Sequence, residues 1–173
     1  QGFSYRNAFV WSGAGYKPEV GFEPRSDFAR AQSDWNYSWF TAAGSTLRRI
    51  WLGAENNVWF RNADGIVDTG QLQPFLQIET ARGMTLKVSS QSSYEDVPDA
   101  FALAGVADVP AGSYWATSGS AQLRPARGWP IRPSLTVTAG EFFDGSRMGV
   151  DSSVDWPVGP HIDLSGGWGW NRI

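Results

Sequence analysis

The chain has 173 residues, the length of one domain spanning 1–173 and long enough to bury a core. Its formal net charge is -3, with no basic cluster and no like-charge run, which argues against a nucleic-acid partner. The lack of cysteine excludes a disulfide framework and a thiolate metal site, and with 20 glycines and 10 tryptophans against little leucine the composition favours many short strands over long amphipathic helices.

In chain order, Phe3, Tyr5, Phe9 and Trp11 alternate with Ser4, Arg6 and Ala8, the period-2 signature of a strand with one apolar and one polar face. The glycines and prolines between Ser12 and Asp27 read as a long loop. Ala29, Ala31, Trp35, Tyr37 and Trp39 opposite Arg30, Gln32, Asp34, Asn36 and Ser38 predict a second strand. The third sets Ile50, Leu52 and Ala54 against Arg49, Trp51 and Glu55 and runs on through Trp59 to a hairpin at Ala63-Asp64-Gly65. Strand four carries Leu76, Ile78 and Thr80 opposite Gln77 and Glu79, and Arg82-Gly83 turns it into strand five, where Met84, Leu86 and Val88 oppose Thr85, Lys87, Ser89 and Gln91. A second long loop fills the stretch between Val97 and Gly112; almost no helix is expected, and Asp99 to Val106 is the one place where that expectation is most open to a short helical turn. Strand six spans Tyr114 to Arg124. Beyond the turn at Pro125 to Pro130, strand seven sets Ile131, Pro133, Leu135, Val137 and Ala139 against Arg132, Ser134, Thr136 and Thr138. Strand eight presents Met148, Val150, Val154 and Trp156, and strand nine Ile162, Leu164, Trp168 and Trp170. The expected fold is all-β: an antiparallel up-and-down meander of about nine strands, forming a partial or complete β-barrel.

The even-numbered connections are all short, whereas both long loops fall among the odd-numbered ones, so the long loops share one end of the meander. Transmembrane barrels show that asymmetry. Alternation alone leaves open whether the apolar face meets a soluble core or lipid. Charges set deep in the polar parity at Arg49, Glu79, Lys87 and Asp151 favour lipid, as do tryptophans near strand ends at Trp11, Trp39, Trp115, Trp156 and Trp170. The residues expected at a membrane or partner interface are Trp115, Leu135, Val137, Val150, Val154, Trp156, Trp168 and Trp170.

Four segments carry a family resemblance. Lys17-Pro18-Glu19-Val20-Gly21-Phe22 with Glu23-Pro24-Arg25 resembles the N-P-E-V-G-F segment of a domain-of-unknown-function family that joins an amino-terminal carbohydrate-binding family-nine-like module to a carboxy-terminal outer-membrane-type β-barrel. Val109-Pro110-Ala111-Gly112-Ser113-Tyr114 fits in the same order. Gly140 through Arg147 is similar to the family's G-x-F-[YF]-D-G-x-R pattern, and Trp156 through Ser165 to its W-x-P-x-P-H-L-x-L-S pattern. The resemblance implies part of the barrel of a Gram-negative envelope protein, at the outer membrane or the periplasmic face of the envelope. It brings no carbohydrate contact, because the module that would make one has no counterpart here. Gln1 is followed by no signal-like stretch, and Asn171-Arg172-Ile173 lacks the terminal aromatic usual in such barrels, so a removed leader or a piece of a longer chain is expected. Nine is also an odd number, whereas single-chain bacterial barrels are even-stranded.

Candidate chemistry is sparse. His161 is the only histidine, and pairing with Asp163 on one face would require the last strand to begin early. Glu95, Asp96 and Asp99 offer oxygens to calcium but read first as a solvated loop. No nucleophile elbow or phosphate loop is present. No catalytic, cofactor or metal residue is therefore assigned, and no enzymatic activity is expected. Two readings remain: a non-catalytic outer-membrane barrel segment acting as pore, anchor or scaffold in membrane lipid, or an accessory β-sheet subunit docked on a larger membrane-protein assembly.

Overall fold

The computed structural model describes residues 2–16, 25–103, 107–126, 128–142 and 145–172. Nine long strands form one antiparallel meander: β1 (Gly2–Ser12), β2 (Phe28–Phe40), β3 (Leu47–Arg61), β4 (Val67–Thr80), β5 (Thr85–Val97), β8 (Gly112–Arg124), β9 (Arg132–Phe142), β10 (Gly145–Pro157) and β11 (Asp163–Arg172), each paired with the next. In place of a helical turn, the loop after β5 holds a small hairpin of β6 (Phe101–Leu103) and β7 (Ala107–Val109); residues 104–106 lie outside the described set. Among the described residues there is no helix, and hence none long and apolar enough to cross a membrane, which says nothing of strands.

β4 begins nine residues before the Leu76 expected from sequence, and β5 continues to Val97. Gly70, Gln71, Gln73 and Pro74 blur the alternation of β4, and a run of serines does the same in β5. Pro74, which lacks an N–H, still sits opposite Ala54 inside the sheet. The hairpin at residues 62–66 follows turn chemistry: Gly65 has φ 72, a left-handed conformation that costs glycine little.

The sheet is a single layer. Elements touch only their neighbours in the sheet, so β1 and β11 are open edges, and as the first and ninth strands of an antiparallel order they run parallel to each other. A flat single layer would expose both faces alike, yet the polar positions of β5 and β8, from Thr85 to Gln91 and from Tyr114 to Gln122, are half-buried or buried while the apolar positions between them are mostly exposed. The sheet therefore curls around its polar face. Transverse pairing also slants: the row that starts at Phe3, one residue inside β1, ends at Trp170, two residues from the far end of β11. Curling with such stagger is the geometry of a barrel wall, though the sheet does not close.

Candidate functional site

Cross-strand register builds the outer face from complete apolar rows. Phe3, Tyr37, Leu52, Leu76, Val88, Ala121, Val137, Val150 and Trp170 follow one another across all nine strands. The adjoining row runs Trp39, Ile50, Ile78, Leu86, Leu123 and Leu135, then Ser152 and Trp168. Val154 stands between Pro133 and Gly166, Trp156 pairs with Leu164, and Trp115 meets the Tyr94 ring at 5.0 Å in a tilted contact toward the long-loop end. All eight interface residues expected from sequence thus share one face. The same face continues over β1 to β5, which the alternation of those strands already signalled but the expected site did not include.

This face is uncovered. Phe9 is 70% exposed, Trp115 69% and Trp168 61%, and among the described residues the buried apolar ones are only Phe28, Ala54, Val97, Val109 and Ala126. The accessible surface is 11910 Å², against roughly 8,400 Å² for a folded monomer of 19.0 kDa. The excess, on the order of 3,500 Å², is the surface that a single-layer sheet with both faces and both edges open leaves uncovered.

The inner face is polar and organised by charge. Arg6 binds Asp34 at 2.8 Å, Lys87 approaches Glu55 at 3.7 Å, and Arg48 binds Glu79 at 3.1 Å. Rings on this side are capped by cations: Arg49 lies 4.4 Å over Trp51, Arg25 5.1 Å over Trp59, and Lys87 4.6 Å over Phe75. At the long-loop end a network joins Arg25 to Asp68 (2.5 Å) and Arg61 to Asp96 (2.7 Å). Beside it the Ile66 N–H donates to Asp64 at 2.9 Å; that bond, helped by Arg61, holds the Asp64 carboxyl below its ordinary range. Period-2 reasoning missed two irregularities. One extra residue in β3, Arg48, and one in β4, Asp68, form bulges in the β3–β4 ladder. Strict alternation would set both charges on the apolar face, whereas each instead bonds an inner-face partner, Glu79 and Arg25.

No family model, curated protein or solved structure matches this chain. The site must therefore be read from its geometry. His161 is exposed and lies before β11, which starts at Asp163, so the two do not share a strand. Asp96 is engaged by Arg61 and by Ser113, and among the described residues no three histidine or carboxylate side chains gather as a metal would require. Of the resemblance segments, residues 17–24 and 143–144 lie outside the described set, while Gly112–Tyr114 open β8 and Trp156–Ser165 carry the β10–β11 turn.

Proposed function

We propose that the chain is a non-catalytic wall segment of an outer-membrane-type β-barrel, serving as pore, anchor or scaffold in the bacterial envelope. The supporting observation is its inverted burial: apolar rows face outward and the charged face lies within the curl. An exposed apolar face of this extent supports a neighbour other than water. Covering roughly 1,000 Å² of it contributes about 25 kcal/mol of gross transfer free energy, from which the costs of ordering and association are subtracted. Lipid demands that every strand edge be paired. Because β1 and β11 run parallel, an antiparallel completion takes an odd number of further strands, which restores the even count of bacterial barrels. The open edges also favour a second reading, in which the sheet is an accessory subunit stabilising a larger membrane assembly.

Quenchers attached to lipid acyl chains separate the two. For the barrel, Trp115, Trp156 and Trp170 in reconstituted protein are quenched with a depth dependence. For the subunit, quenching stays absent and those tryptophans become accessible to aqueous quencher only when a partner protein is stripped away. Protein that stays monomeric and monodisperse without detergent or partner refutes both.

A further inference from the structure

The short-turn end of the inner face concentrates cations that its carboxylates do not neutralise. A cavity of 530 Å³ there is lined by Arg48, Lys87 and Arg124 against a single carboxylate, Glu79, with Gln77 and Thr85 as neutral hydrogen-bonding groups. This excess of two positive charges sits in a chain of net charge -3, so placement rather than composition creates it. The bulge in β3 contributes, since it brings Arg48 to the same side as Arg49.

The cations are also under-satisfied. Arg124 has no ion pair or side-chain hydrogen bond among the described residues. Lys87 is held by Glu55 at 3.7 Å and by the Phe75 ring face at 4.6 Å, contacts that leave its N–H groups without a direct hydrogen bond. Cations that share a concave surface repel one another. A polyvalent oxyanion relieves that repulsion, because phosphate-like oxygens accept from several N–H groups at once.

We propose that this cavity binds small polyvalent oxyanions of the phosphate class, held between Lys87 and Arg124, with Glu79 competing for Arg48. The site lies on the inner face, so it stands whether lipid or a partner covers the outer one. Its expected occupant is a free solute rather than a lipid headgroup.

Calorimetric titration of the folded protein in non-ionic detergent at low salt, with inorganic pyrophosphate as probe and chloride as control, tests this. Pyrophosphate is expected to bind and chloride not. The Lys87→Gln and Arg124→Gln variants each weaken binding about tenfold or more. Arg147→Gln, at the opposite end of the inner face, leaves it unchanged, and Glu79→Gln tightens it by freeing Arg48. Circular dichroism verifies the folding of every variant, and the single substitutions allow a decision if one variant fails to fold. Absence of pyrophosphate binding to folded wild-type protein overturns the proposal. So does equal weakening by Arg147→Gln, or binding indifferent to Lys87 and Arg124. Displacement of pyrophosphate by dispersed short-chain phosphatidic acid, but not by inorganic phosphate, transfers the site to a lipid headgroup and overturns the free-solute assignment.

Discussion

Introducing arginine at Val137 and, separately, at Thr136 puts the assignment of faces to its sharpest test. Val137 lies between Ala121 and Val150 in the apolar row that crosses the whole sheet, so the new guanidinium is surrounded by hydrocarbon. For a lipid-exposed position near the midplane the cost is about 2–4 kcal/mol, a shift of roughly 30- to 700-fold in the folding equilibrium. Thr136 lies between Gln122 and Asp151 on the inner face, where the Gln122 amide now donates to its hydroxyl at 3.1 Å. Arginine there loses that bond, worth about 1 kcal/mol, and gains a facing carboxylate at Asp151, so the net change stays within about 1 kcal/mol. Both variants are measured by reversible denaturant unfolding after reconstitution in lipid, with wild type alongside. A strand reverses faces at every residue, so one position decides the sign. The reasoning fails if Val137→Arg costs less than Thr136→Arg, or if both remain within about 0.5 kcal/mol of wild type, the range of ordinary surface changes.

Other substitutions probe separate features. A Cβ built at Gly53 would sit 2.5 Å from the Trp35 carbonyl oxygen and 2.7 Å from the Phe75 ring. Gly53→Ala should therefore destabilise by about 1–3 kcal/mol in thermal or denaturant unfolding, while Gly159→Ala, facing open space, changes nothing measurable; equal effects would refute the close approach. His161→Ala should leave stability and any measured function intact, because the side chain is exposed in a turn and has no partner geometry; loss of function in a folded variant would make Asp163 the next residue to test. The Asp64 carboxyl, held down by the Ile66 N–H and Arg61, should titrate below 3.8 when followed by carbon NMR. A pKa lower in the folded state means that this stabilisation is complete above the unfolded value and fades as pH falls through the folded one. A midpoint at or above 3.8 would remove the argument.

The fold was legible because period 2 persists where it matters: β1, β2, β9 and β10 alternate cleanly, and each fell within three residues of its expected limits. The alternation failed in β4, where Gly70, Gln71 and Gln73 present little hydrophobic contrast and Pro74 argues for an edge strand it does not occupy. That Trp115, Leu135, Val137, Val150, Val154, Trp156, Trp168 and Trp170 share one face was readable by parity alone. The cationic cavity was not, because it depends on register across β3, β4, β5 and β8 and on a bulge that breaks the parity rule. Trp51 and Trp59 carried no signal either: their sequence neighbours do not reveal that arginines cap their rings.

The two bulges bear on how such a sheet can change length. Removing one residue from the middle of a strand throws every later side chain out of phase, sending charges to the apolar side and rings to the polar one. Arg48 and Asp68 are different, since each is the surplus residue of its strand and the ladder is already in step on both sides of it. Deletion at either point shortens the chain without inverting the remainder and forfeits only one charge and its partner. Within the β3–β4 ladder these are the two places where a single-residue insertion can be gained or lost while the faces keep their identity.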